Sequence, residues 1–147
     1  MRSTVRWGMG ARRGFTVAEL LVAVMIAAVL MAIAIPRFVL ALDRISVQTA
    51  KRDVVAILDD ARSLALASHQ AVAVSLPPSG ALEVRRDAEI MRRRNVADLY
   101  QVDVVSSRDS LAYDGHGLGH GAANLSIVLR RRSAAETVFV SRLGRVR

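Results

Sequence analysis

Hydrophobic and polar positions divide this 147-residue chain into three stretches. From Phe15 to Pro36 the side chains are mostly Leu, Val, Ile, Met and Ala, and Glu19 is the only charge between Arg13 and Arg37. A helix needs about 20 apolar residues to cross a bilayer, so this run predicts a membrane-spanning helix. Pro36 removes one helical hydrogen bond, which predicts a kink at the far side of the bilayer. Beyond it, Val47, Ala50, Val54, Leu58, Ala61, Ala65 and Ser68 recur at steps of three and four, while Lys51, Arg52, Asp53, Asp59, Asp60 and Arg62 take the other faces. That is the period of an amphipathic helix, and its small residues suit close packing on a sheet. One helix from Phe15 to about Ser68 would be roughly 80 Å long at 1.5 Å per residue.

From Ala71 the period changes to alternation. Ala71–Leu76, the turn Pro77-Pro78-Ser79-Gly80 and Ala81–Arg85 predict a β-hairpin. Further strands are predicted at Leu99–Val105, Leu111–Tyr113, Asn124–Arg131 and Thr137–Leu143, the last two joined by Arg132–Glu136. Between them lies the glycine-rich run Asp114–Gly121. The pattern predicts an α+β protein with one long helix followed by about six antiparallel strands.

Charge sharpens the N-terminal reading. The chain carries +8, but Arg2, Arg6, Arg12 and Arg13 all precede Gly14, so half of that excess sits ahead of the apolar run. A basic flank beside an apolar span orients the N-terminus to the cytoplasm. The chain has no cysteine, which excludes disulfides, thiolate metal sites and cysteine nucleophiles. Its single tryptophan, Trp7, also precedes Gly14.

A carboxylate inside an apolar span costs roughly 3 kcal/mol on insertion scales, so Glu19 calls for a partner. Ordinary readings of this N-terminus remain open from the residues alone. Ala32-Ile33-Ala34 fits a secretory cleavage site, the twin arginines fit an export signal, and an uncleaved anchor fits the length. The string Arg12-Arg13-Gly14-Phe15-Thr16-Val17-Ala18-Glu19-Leu20-Leu21 resembles the processing site of the type IV pilin superfamily. The resemblance implies that a prepilin peptidase/methyltransferase cuts after Gly14 and methylates Phe15. It also implies that Glu19 sets assembly register. The new amine of one subunit and Glu19 of a neighbour neutralise each other as helices bundle, because a paired buried charge is tolerated where a lone one is penalised.

The second half resembles the H-type minor pseudopilins of type II secretion and related minor pilins, the GspH/FimT-like family. Three features carry this: the join Arg62–Ser68 into Ala71-Val72-Ala73-Val74, the corner Tyr113-Asp114-Gly115, and the ending Val140–Arg147. The implied fold is pilin-like: a long N-terminal transmembrane and amphipathic helix followed by a small antiparallel β domain. The implied organisation is a cleaved leader at 1–14, a helix at 15–69 that spans the membrane to about residue 36, and a periplasmic β-rich domain at 70–147.

Other chemistry is thin. His116 and His120 lie four apart beside Asp114, but glycines argue for a loop there, and histidines at this spacing converge on a metal mainly from one helix face. The loop's single carboxylate is too few for calcium. No metal, no cofactor and no enzymatic activity is expected. The arginines at 92–94, 130–132 and in the tail offer a basic surface. Arg142, Arg145 and Arg147 are candidate DNA contacts, because arginine binds phosphate and the ending Gly144-Arg145-Val146-Arg147 resembles that of minor pilins active in DNA uptake. The alternative is a solvated basic face that meets acidic partners.

The expected function is a minor pseudopilin at or near the tip of a periplasmic pseudopilus that supports type II protein export. The alternative is a minor pilin of a type IV pilus acting in priming or DNA uptake. Expected partners are the peptidase, other major and minor pseudopilins and the inner membrane, with a single pass, a cytoplasmic N-terminus and a periplasmic C-terminal domain.

Overall fold

The computed structural model describes residues 14–120 and 124–147. The leader arginines, Trp7 and Gly121 lie outside the described residues. Helix α1 spans Val17–Ser68 and continues through Pro36. Contacts divide the chain after Arg37, and the two units are taken separately. In the first, the helix exposes Leu20, Val22, Met25, Ile26, Val29, Leu30 and Ile33 alike, so its apolar surface has no partner among the described residues. It is long and apolar enough to cross a membrane.

In the second unit α1 buries one stripe: Asp43, Val47, Ala50, Val54, Ile57, Leu58, Ala61 and Ala65. The expected apolar stripe is recovered, with Ile57 added and Ser68 only half-buried, its hydroxyl donating to the Leu64 carbonyl at 2.8 Å. After Ser68, His69 takes a left-handed φ of 53° and ends the helix.

Strands β1 (Val72–Ser75) and β2 (Ala81–Arg86) form the expected hairpin, with Val74 opposite Val84. Then come β3 (Glu89–Asn95), the short helix α2 (Val96–Tyr100), β4 (Asp103–Ser106), β5 (Ser110–Tyr113), β6 (Gly119–His120), β7 (Leu125–Arg131) and β8 (Ala134–Val140). They make two sheets, ordered β3-β2-β1-β5-β6 and β4-β7-β8, every pairing antiparallel. The core joins the α1 stripe to Val72, Val74, Leu82 and Val84 of one sheet and Leu125, Ile127, Leu129 and Val138 of the other. Each such side chain, fully buried, contributes roughly 1.5–3 kcal/mol.

Three expectations are corrected. Among the described residues eight strands replace about six: β3 carries no apolar alternation and forms by pairing with β2, and the two-residue β6 forms inside the glycine-rich run by pairing with β5. The strand predicted at Leu99–Val105 begins only at Asp103. Leu99 and Tyr100 belong to α2, whose start is capped by the Asn95 side chain on the Asp98 amide at 3.2 Å. The last hairpin is also tighter than predicted: Arg131 pairs with Ala134, so Arg132 and Ser133 alone make the turn, with Arg132 at φ 48°.

Candidate assembly site

Thr16 and Glu19 open the long helix with a reciprocal cap. The Glu19 Oε2 accepts from the Thr16 amide at 2.9 Å and from its hydroxyl at 3.0 Å, and the Glu19 amide donates back to the Thr16 hydroxyl at 3.2 Å. This is a capping box, which satisfies donors that the first helical turn leaves without partners. Sequence reasoning missed it, although the Thr-x-x-Glu spacing at the head of an apolar run is the signal. Glu19 Oε1 accepts nothing from a described residue and remains available to a cation.

Phe15 is 82% exposed directly before this cap. Packing does not call for a glycine at Gly14: a Cβ there would meet nothing within 4 Å. The structure therefore brings Gly14, Phe15 and Glu19 together at one helix start. Pro36 lies inside the same helix, where its nitrogen has no hydrogen to give the Ala32 carbonyl. Apolar exposure continues past it through Phe38, Leu40, Leu42 and Ile45.

The arginines at 92–94 and 130–132 are largely ion-paired to acids of the chain, although Arg92, Arg93, Arg130 and Arg132 stay exposed. Arg94 meets Asp53 at 2.7 Å, Arg93 meets Glu83 at 3.3 Å, and Arg92 pairs with Asp60. Arg131 and Arg132 converge on Asp43 at 2.9 and 3.0 Å. Arg131 also donates to the Ser46 hydroxyl and the Tyr100 carbonyl, tying β7 to both helices. Asp43 is the residue sequence reasoning overlooked. Its place one step before Val47 in the buried stripe was the available clue.

The tail is different. Arg142, Arg145 and Arg147 are exposed. Ser141–Arg147 folds back along β8, with Arg147 paired to Phe139 through both backbone groups. Phe139 is 57% exposed, so an aromatic ring stands directly across from Arg147. The sequence alone showed no aromatic beside this cluster, because the two lie on different strands.

At the glycine-rich corner, Asp114 Oδ1 accepts the amides of His116 and Leu118, both at 2.9 Å. The Leu118 amide chiefly holds this carboxyl below its ordinary range, assisted by the His116 amide and the nearby histidines. Asp114 thus shapes the loop, and among the described residues no cluster of three or more metal-ligating side chains forms. Arg62 Nε donates to the Gly117 carbonyl at 2.9 Å, fastening the loop to α1.

Residues 9–35 match the model of the prokaryotic N-terminal methylation motif. The fold matches two crystal forms of the type IV minor pilin FimU of Pseudomonas aeruginosa. One superposes with a TM-score of 0.62 at 15% identity, covering 71% of this chain and 88% of that one. The other gives 0.58 at 15%, covering 68% and 90%. The chain has the type IV pilin fold behind a prepilin methylation motif. No curated protein sequence matches it. The motif implies processing by a prepilin peptidase and assembly with other pilins, and the N-terminal apolar helix, the one helix of that kind among the described residues, is typical of a pilin membrane anchor.

Proposed function

We propose that this chain is a minor pseudopilin of a type II secretion system. It is cut between Gly14 and Phe15, methylated on Phe15, and assembled at or near the tip of a periplasmic pseudopilus. The observation that carries the assembly reading is an apolar helix start without a partner among the described residues, bearing one carboxylate, Glu19, whose Oε1 accepts from no described residue beside the proposed cleavage point. A neighbour's N-terminal amine is the natural partner for that oxygen, and pairing offsets the cost of a charge in lipid. The chain enters the inner membrane once, N-terminus in the cytoplasm, and its role is structural and not catalytic. The join of helix to hairpin and the C-terminal ending, which resemble the H-type pseudopilins, favour the secretion machine. The experiment is the intact mass of the protein from native membranes, joined to a deletion strain. A methylated Phe15 start without Trp7 and a block in exoprotein release are expected. A Met1 start, or normal release, would overturn this reading.

A second reading, a minor pilin of a type IV pilus active in priming or DNA uptake, is favoured by the fold likeness to FimU and by Phe139 standing across from Arg147. Aromatic stacking beside arginine suits nucleic acid. Under it, deletion removes motility or transformation and spares export.

A further inference from the structure

Apolar exposure on α1 stops at one level. Phe38, Val39, Leu40, Leu42 and Ile45 are all exposed, and the next large apolar side chain that α1 exposes is Leu66. Phe38 and Leu40, two apart, stand on opposite sides of the helix. A helix apolar all round suits surrounding lipid, whereas one partner helix would cover a single face. From Leu20 to Ile45 a helix rises about 39 Å, and a bilayer with its headgroup layers is about 40–45 Å thick. For a membrane-anchored helix, the end of the apolar exposure therefore coincides with the headgroup layer. Arg37, the one charge between Leu20 and Asp43, is long enough to extend toward that layer.

At this level the β7–β8 turn lies against the helix. Arg131 and Arg132 bind Asp43 at 2.9 and 3.0 Å, which pins the turn Arg132-Ser133 beside α1. Arg44, Gln48, Ser133, Ala134 and Glu136 then line one cavity of about 230 Å³. Glu136 is matched by Lys51 at 2.9 Å. Arg44 and Ser133 are exposed, and neither the Arg44 guanidinium nor the Ser133 hydroxyl bonds to a described residue. Arg132 gives Asp43 only its Nη1, so its other donors are available to a further acceptor. The four cations Arg44, Lys51, Arg131 and Arg132 meet the two acids Asp43 and Glu136, and the corner keeps an excess of positive charge.

We infer that this corner binds the phosphate of an anionic phospholipid headgroup. Arg44 and Arg132 hold the phosphate oxygens, the Ser133 hydroxyl donates to them, and Phe38, Leu42 and Ile45 lie among the lipid chains. Arginine suits this task because its planar fork of donors matches two phosphate oxygens at once. The arginines come from α1 and from the β7–β8 turn, so the lipid would join the membrane helix to the β domain. The site presupposes the proposed membrane anchorage and serves either machine.

The test takes the full-length protein in detergent micelles through native mass spectrometry, titrated with phosphatidylglycerol, phosphatidylcholine or inorganic phosphate. Phosphatidylglycerol is expected to bind about tenfold more tightly than phosphatidylcholine, and inorganic phosphate to leave it bound. Arg44→Glu should abolish the preference, and so should Ser133→Glu on the opposite wall, each with the circular dichroism of wild type. Arg52→Glu, the same charge change at an exposed arginine outside this cavity, should keep it. Equal affinity for the two lipids overturns the proposal, as does a preference that survives both glutamate variants. Displacement by inorganic phosphate would make the corner a free-phosphate site, and a preference confined to dimers would make it a contact between copies; either overturns it too. Flotation with phosphatidylcholine vesicles keeps this site apart from the anchorage. A protein that floats yet shows no lipid preference loses the site alone, and one that does not float loses the membrane anchor and the site with it.

Discussion

Gly144 sits against the ring of Tyr113. A Cβ on Gly144 would lie 3.0 Å from Tyr113 Cε1 and 2.8 Å from the Gly117 carbonyl oxygen, and its φ of 73° is left-handed. The turn Ser141–Gly144 closes with the Gly144 amide on the Ser141 carbonyl at 2.9 Å, and this turn sends the tail back along β8. Glycine in the Gly-Arg-x-Arg ending is therefore explained by packing, independently of what Arg145 and Arg147 touch. Gly144→Ala combines a backbone penalty of about 1 kcal/mol or more with a steric clash. A loss of about 2–3 kcal/mol in urea unfolding is expected, together with faster amide exchange at Phe139 and Ser141.

Asp43 is 1% exposed, Arg131 26% and Arg132 65%. Removing the acid strands the half-buried Arg131, while removing Arg132 takes away a largely solvated partner. Asp43→Ala is expected to cost about 2–3 kcal/mol, toward the lower end for a broken buried pair. Arg132→Ala should cost less than about 1 kcal/mol. Equal losses in chemical denaturation would contradict the view that Asp43 anchors the β7–β8 hairpin mainly through Arg131.

The Tyr113 hydroxyl is buried with no hydrogen-bond partner among the described residues. Burial, with a contribution from Asp59 and opposed by Arg62, pushes its pKa from 10.0 up to about 12. A raised folded-state pKa means that this group's stabilisation is fully present below pH 10 and is lost as pH rises through 12. The difference between wild type and Tyr113→Phe isolates this group and is the informative quantity. That variant should be as stable as wild type or more stable at pH 7. Its unfolding free energy should also fall less steeply between pH 10 and 12.

Under the assembly reading Glu19 would serve two purposes, and a pair of substitutions separates them. Glu19→Gln keeps an oxygen to accept from Thr16 but removes the charge. Thr16→Val keeps the charge and removes the hydroxyl, for a capping loss of about 1 kcal/mol. Under the assembly reading, Glu19→Gln is processed normally yet fails to enter filaments, whereas Thr16→Val assembles at reduced yield. Cross-linking of membranes followed by mass analysis distinguishes these. Wild-type incorporation of Glu19→Gln would reduce Glu19 to a helix cap.

Much of this architecture was legible before any coordinates. The apolar run, the stripe of α1 and the β1–β2 hairpin follow from periodicity, because a helix and a half-buried strand each repeat hydrophobicity at a characteristic interval. The carboxylate four residues after Phe15 was legible for the same local reason. What sequence reading misplaced was decided across the chain. β3 has arginines where apolar residues would alternate, and it becomes a strand through its ladder with β2 while Asp53, Asp60 and Glu83 receive the three guanidinium groups. Leu99 and Tyr100 turned helical because Asn95 caps α2 and the Gly80 carbonyl receives the Val96 and Ala97 amides.

The candidate site divides along the same line. Gly14, Phe15 and Glu19 are neighbours in sequence, so their constellation was determined by the sequence itself. Asp43 with Arg131 and Arg132, Phe139 with Arg147, and Gly144 on Tyr113 were decided only by the tertiary structure. Each of these pairs joins residues on separate elements, and burial, ion pairing and strand register choose such partners in space.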